Sequence, residues 1–146
     1  MPPRDPKEPI LDNRHWTGIA VYGGIIMSSV LGSLWVAMQV LELESNAAVS
    51  ISFLTLALAQ LWHVFNMRSS SSFMFNNTII RNRWIWAAIV TCIVLLLMAV
   101  YVPSFAAVLK IQPPSLYGWL TVLGFSLIPL LIGQMGLFIR KLKSPD

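Results

Sequence analysis

Residues 51–72 read ISFLTLALAQLWHVFNMRSSSS, and the character of this stretch changes towards its end. The first part is apolar apart from small and hydroxyl-bearing residues. Gln60, His63 and Asn66 then follow at intervals of three residues, ahead of Arg68 and four serines. Side chains three and four residues apart share one face of an α-helix. We therefore expect a helix in apolar surroundings that carries a polar side near one end.

The composition predicts that this helix lies in a membrane. The chain has 146 residues, of which 56% are hydrophobic and 11% are charged, and its mean hydropathy is +0.70. A soluble domain carries about 25% charged residues, so this chain has too few to cover a globular surface in water. The single cysteine, Cys92, lies in an apolar run and cannot form a disulfide within the chain, so we interpret it as a packing residue.

Four stretches of the sequence lack Asp, Glu, Lys and Arg, and each exceeds the ~20 residues that a helix needs to cross the hydrocarbon core. Pro113 and Pro114 delay the start of the last helix. We predict an all-α membrane protein with four transmembrane helices in one bundle over residues 16–139. The predicted spans are about 16–41, 47–66, 84–106 and 116–139, flanked by an N-terminal segment 1–15, a loop 67–83 and a basic tail 140–146.

The basic residues predict the orientation, because Lys and Arg concentrate in cytoplasmic loops. Of the ten Lys and Arg residues, only Lys110 lies between the third and fourth spans. We therefore predict that both termini and the loop 67–83 are cytoplasmic. The net charge of +4 is then explained by the orientation of the chain in the membrane. We therefore expect no nucleic-acid partner. The nine cytoplasmic basic residues are Arg4, Lys7, Arg14, Arg68, Arg81, Arg83, Arg140, Lys141 and Lys143.

Small residues predict where helices pack. In lipid, close packing and interhelical hydrogen bonds hold helices together, and small residues allow a close approach. Ala20, Gly24, Ser28 and Gly32 recur every four residues in the first span, so we predict a packing surface there. Pro129 lies near the middle of the fourth span. It removes one backbone hydrogen bond, so we predict a kink at that point.

The polar side formed by Gln60, His63 and Asn66 has two interpretations. Polar groups inside a membrane often line an ion or proton path, or they form interhelical hydrogen bonds because an unsatisfied group in hydrocarbon costs several kcal/mol. No carboxylate occurs within any span, although a hard cation such as Ca²⁺ usually requires one. We therefore favour hydrogen bonds within the bundle or to a partner. The only other histidine, His15, does not form a ligand pattern with His63, and we predict no metal site.

Residues 51–72 resemble the eighth transmembrane helix and following loop of P-type cation-transporting ATPases. Further similarity follows in order along nearly the whole chain. MPPRDPKEPILDNRHW at residues 1–16 resembles the segment before the seventh helix, and Tyr101-Val102-Pro103 the end of the ninth. Asn82 with Trp84 and Trp86 resembles the start of the ninth helix, and Trp119, Ser126, Pro129 and Leu130 resemble the tenth.

The resemblance implies the fold of the last four helices of such a pump. The phosphorylation motif D-K-T-G and the dephosphorylation motif T-G-E do not occur in the sequence, so we expect no enzymatic activity. Of the family's ion-site positions, only the one on the eighth helix carries over, and it falls on Gln60. The polar side is then either a remnant of an ion site or a source of interhelical hydrogen bonds.

We therefore expect a non-catalytic membrane subunit with a structural or assembly role in a larger complex. The alternative is a split or truncated piece of a cation pump that packs against the ion-transporting helices. The expected partners are membrane lipids and other integral membrane proteins. We predict no cofactor of its own, and a bound lipid or pigment would come through partners. The expected location is the bacterial inner membrane.

Overall fold

The computed structural model describes residues 13–67 and 83–143, with side chains at 16–64, 83–136 and 139. The predicted loop 67–83 and the terminal segments 1–15 and 140–146 fall mostly outside these residues. Within them the chain forms helices and short connections, without a strand. The helices are α1 (Asn13–Gln39), α2 (Ser45–Met67), α3 (Arg83–Tyr101), α4 (Pro103–Leu109) and α5 (Leu116–Lys143).

Four of these helices are long and apolar enough to cross a membrane, which agrees with the predicted fold class. They are α1, α2, α3 and α5, with candidate spans at Trp16–Gln39, Ser45–Val64, Arg83–Tyr101 and Leu116–Gly136. The chain is therefore an all-helical, multi-pass integral membrane protein. We call the end of the bundle that holds Glu42 and Lys110 the outer end, following the orientation predicted from the basic residues.

Helices α1, α2 and α5 pack against one another and form the core, with α2 as the most buried span. Ala37 of α1, Leu54 of α2 and Val122 of α5 are fully buried where the three helices meet. Helix α3 is the most apolar span, yet it packs little against the others. It contacts them where Ile89 meets Leu130 and where Val100 joins the buried cluster of the core. The bundle is thus a three-helix core with a fourth span at its edge.

The third predicted span extends to about residue 106, whereas α3 ends at Tyr101 and α4 follows as a separate short helix. Val102 is extended (φ −85°, ψ 117°) and Pro103 begins α4. The proline ring disfavours the helical conformation at the residue before it, while its own fixed φ suits the first position of a new helix. The sequence Val102-Pro103 therefore turns the chain at the outer end.

The connection from α4 to α5 folds back onto the start of α2. Gly118, in the first turn of α5, is buried against this connection. A Cβ atom added to Gly118 would lie 3.0 Å from Cβ of Pro114 and 3.2 Å from Cδ1 of Ile51. Both distances are tight for a Cβ contact, so the close approach of α2 and α5 at the outer end favours a glycine there.

Candidate functional site

Gln60 lies on the side of α2 that the other described residues leave uncovered. Val49, Phe53 and Val64 are 59%, 44% and 41% exposed, and Gln60 shares their exposed side. In the part of the chain that the structure describes, the Gln60 amide has no hydrogen-bond partner. An amide without a partner is unfavourable in hydrocarbon, so this position could accept a polar group from outside the described residues.

His63 lies on the side of α2 that faces α1. Its ring centroid is 4.7 Å from that of Tyr22, and the two ring planes are tilted by 50°. The Nδ1 atom of His63 is buried and has no hydrogen-bond partner among the described residues. Asn66 belongs to the last turn of α2, but its side chain lies outside the described residues. The interhelical hydrogen bonds that we predict for these residues stay a prediction.

The polar and small residues of α2 divide between the core and the outside. Thr55 and Ala59 are fully buried, and the Thr55 hydroxyl donates to the carbonyl oxygen of Ile51 at 2.8 Å. Five residues of helix turn the chain by about 140°, so Gln60 points away from the core that covers Thr55. Polar residues five positions apart on α2 thus reach different environments.

The small residues of α1 meet the other helices at one end of their row only. At Gly32, an added Cβ atom would lie 2.6 Å from Cε1 of Phe125 in α5, whereas none of the surrounding atoms lies within 4 Å at Gly24. Ala20 and Ser28 are exposed, and the Ser28 hydroxyl donates to the Gly24 carbonyl oxygen at 2.8 Å.

Gly24 and Ser28 instead line an open groove between α1 and α5. The groove has a volume of about 420 Å³, and most of its lining is apolar. Phe125 and Ile128 form the side provided by α5. We call this surface the α1–α5 groove. Its small residues leave room for another helix or for lipid, and their role in helix packing stays a prediction.

The described residues form hydrogen bonds across the bundle that were not predicted from the sequence. The Trp62 indole N–H donates to the Ser126 hydroxyl at 3.3 Å, and the Trp119 indole N–H donates to the Tyr101 hydroxyl at 3.1 Å. The backbone N–H of Gln112 donates to the Ser50 hydroxyl at 3.0 Å. A tryptophan within a charge-free span needs an acceptor for its N–H, but this rule does not identify the acceptor.

Two other predicted features have the following positions. Pro129 is fully buried inside α5, and the helix continues through it; the kink stays a prediction. Cys92 is a free cysteine on the exposed side of α3. Among residues 13–67 and 83–143, no three or more His, Cys, Asp or Glu side chains come together in a way that could hold a metal ion.

The family of the chain follows from its match to a known family model. Residues 1–139 match the model described as "Cation transporting ATPase, C-terminus". The chain belongs to this family. The match includes all four candidate spans, so the resemblance seen in residues 51–72 is confirmed.

Calcium pumps are among the relatives of this C-terminal domain. A calcium-transporting ATPase of Bacillus subtilis (strain 168) is 30% identical over 140 residues, which is 95% of this chain and 16% of the pump. Calcium-transporting ATPase 1 of Bacillus cereus (strain ATCC 10987 / NRS 248) is 26% identical over 88 residues, which is 60% of this chain and 10% of that pump. The chain thus spans about a sixth of the length of the first relative.

Proposed function

We propose that this cation-transporting ATPase C-terminal domain is a non-catalytic helix bundle that supports other transmembrane helices in a larger complex. The favoured partner is the ion-transporting core of a P-type cation pump, because the relatives that match this chain are pumps and the match lies within their membrane region. The same contacts would operate for a separate subunit and for a segment of a longer chain. The proposed location is the bacterial inner membrane.

The observation that carries this proposal is the exposed amide of Gln60. This amide lies within the α2 span, among exposed apolar side chains. An unpaired amide in an apolar environment costs roughly 1–3 kcal/mol by protein mutational data. A polar side chain or a free backbone group on a partner helix would remove that cost, whereas lipid chains offer no hydrogen bond.

The α1–α5 groove supports the same proposal through its shape. An α-helix with its side chains is about 10 Å wide, and the small residues Gly24 and Ser28 let another backbone approach α1 closely. We propose that the partner helices cover this groove as well as the part of the exposed side of α2 around Gln60 and Val64. The row of small residues in α1 would then pack mainly against a partner protein and less against the other helices of this chain.

We propose no catalytic step and no ion transport by the chain alone. Its spans contain no carboxylate, and the motifs D-K-T-G and T-G-E do not occur in its sequence. Gln60 offers one amide oxygen, while a hard cation requires several oxygen ligands. In the proposed complex, the partner supplies the phosphorylation chemistry and most of the ion ligands.

Affinity purification of the tagged chain from its native membranes in mild detergent, followed by mass spectrometry, tests the proposal. We expect recovery of a chain that contains D-K-T-G. Gln60→Leu should reduce this recovery, whereas the control Val64→Leu, on the same exposed side, should not. Recovery of an assembly without such a chain would contradict the pump-core partner and identify another complex. Equal recovery with wild type and Gln60→Leu would contradict the role of the amide.

A further inference from the structure

An apolar notch lies at the outer end, between the start of α2 and the connection from α4 to α5. Its volume is about 130 Å³. Apolar cavities of about 150 Å³ in proteins take up benzene, so the notch has room for a short stretch of an acyl chain. An entire helix, about 10 Å across, would not fit into it. The notch is lined by Val49, Ser50, Phe53, Leu109, Lys110 and Ile111.

Lys110 is fixed at the rim of this notch by its backbone. It ends α4 in the left-handed conformation, with φ 52° and ψ 36°. The next residue, Ile111, is buried and donates its backbone N–H to the Ala106 carbonyl oxygen at 3.0 Å. The Gln112 N–H is held by the Ser50 hydroxyl at 3.0 Å. The chain on the C-terminal side of Lys110 is therefore anchored to α2, and the lysine cannot move away from the notch as a loop residue could.

The charge of Lys110 has no partner within the described residues. Glu42 and Glu44 lie at the same end of the bundle, but neither forms an ion pair with Lys110. Trp119 and Tyr101, joined by their hydrogen bond of 3.1 Å, lie near the outer ends of their helices, where aromatic side chains meet lipid headgroups. A lysine at this depth extends its ammonium group towards the headgroups. An unpaired cation thus lies next to an apolar recess.

We propose that the notch binds one phospholipid with an anionic headgroup. Its phosphate lies beside the Lys110 ammonium, and an acyl chain lies against Val49 and Phe53. Ser50 is not a ligand for the headgroup, because its hydroxyl already donates to the Asn46 carbonyl oxygen at 2.8 Å and accepts from Gln112. The site recognises the lipid by one charge and by the shape of the recess.

This lipid site and the proposed helix contact at Gln60 are separate. Phe53 and Gln60 are seven residues apart, which corresponds to about 10 Å along the helix at 1.5 Å per residue. A lipid in the notch therefore leaves the Gln60 amide free for a partner. The lipid site does not depend on the proposed function and can be tested with the full chain alone.

Photo-crosslinking in lipid nanodiscs tests the site. The full chain is placed in phosphatidylcholine that contains a small fraction of phosphatidylglycerol with a photoreactive acyl chain, and labelled residues are mapped by mass spectrometry. A single lysine near a membrane surface contributes about 1 kcal/mol to binding of an anionic lipid, which is about fivefold in affinity. We therefore expect about fivefold more labelling of residues 49–53 and 109–111 than with photoreactive phosphatidylcholine.

Charge variants distinguish a defined lipid site from a general attraction of anionic lipid to the outer end. Lys110→Gln should reduce the labelling by phosphatidylglycerol to the level of phosphatidylcholine, and Lys110→Arg should keep it. Glu44→Gln raises the charge of the outer end by the same amount as a new lysine, so it controls for net charge and should leave the ratio unchanged. A ratio near one in the wild type, or an increase with Glu44→Gln as large as the decrease with Lys110→Gln, would overturn the proposal.

An apolar variant tests the recess without changing any charge. Phe53 is exposed, so Phe53→Ala should leave the fold intact. It should lower the labelling of the notch by both lipids, because the acyl chain loses one side of its contact. Unchanged labelling by both lipids in Phe53→Ala would show that the recess holds no chain and would contradict the proposed site.

Discussion

Gln60→Leu should leave the isolated bundle as stable as the wild type and weaken its attachment to a partner. The Gln60 side chain has no hydrogen bond to the rest of the described chain, and it faces lipid whether the helices are packed or apart. Exposed substitutions of this kind change the unfolding free energy by no more than about 0.5 kcal/mol. Hydrogen bonds between membrane helices contribute about 0.6 kcal/mol on average and at most about 1.7 kcal/mol. We therefore expect a loss of about 3-fold to 16-fold in partner affinity.

Two measurements on the same variant separate these effects. Reversible unfolding of the isolated chain in bicelles gives the unfolding free energy, and titration of the purified partner gives the affinity. Val64→Leu, a change on the same exposed side that alters no polar group, is the control for both. A fall of more than about 1 kcal/mol in the unfolding free energy of Gln60→Leu, with unchanged partner affinity, would show that the amide bonds within the bundle and would refute the reasoning.

Further substitutions test the packing of the core. Gly32→Leu should lower the unfolding free energy by about 1–3 kcal/mol, because its Cβ would overlap the ring of Phe125, whereas Gly24→Leu should leave that free energy unchanged. Equal effects of the two leucines in bicelle unfolding would contradict this. In a double-mutant cycle, Trp62→Phe and Ser126→Ala should show a coupling of about 0.6 kcal/mol through their hydrogen bond. Strictly additive effects would show that the bond contributes nothing.

The sequence predicts the spans well because their limits depend on charge and length. A charge within a span is expensive, so gaps between charged residues mark the candidate helices directly. The start of α5 after Pro113 and Pro114 follows from proline chemistry in the same way. The separate helix α4 could also have been predicted, because Val102 precedes Pro103 and is kept out of the helical conformation. The apolar run continues past this proline, so the predicted span was extended through it to about residue 106.

The sequence predicts the packing of those spans less well. In water, the polar side of a helix faces the solvent, but in lipid the core and the surroundings are equally apolar. The residue types of Thr55 and Gln60 therefore do not indicate which of the two is buried. Likewise, the repeat of Gly24 and Gly32 does not reveal that α5 covers only the second. The positions of the helices around α2 decide both cases, and these depend on contacts distant in sequence.

The packing of α5 against α1 and α2 has a consequence for the synthesis of the bundle. About 50 residues separate the end of α2 from the start of α5, and translation at about 5–20 residues per second needs several seconds to add them. During this time α1 and α2 remain in the bilayer without the helix that will cover them. The buried hydroxyls of Ser33 and Thr55 keep their hydrogen bonds during this time, because both bonds lie within one helix. Ser33 donates to the carbonyl oxygen of Val30, and Thr55 donates to that of Ile51. These two hydroxyls of the core are thus satisfied before the last helix leaves the ribosome.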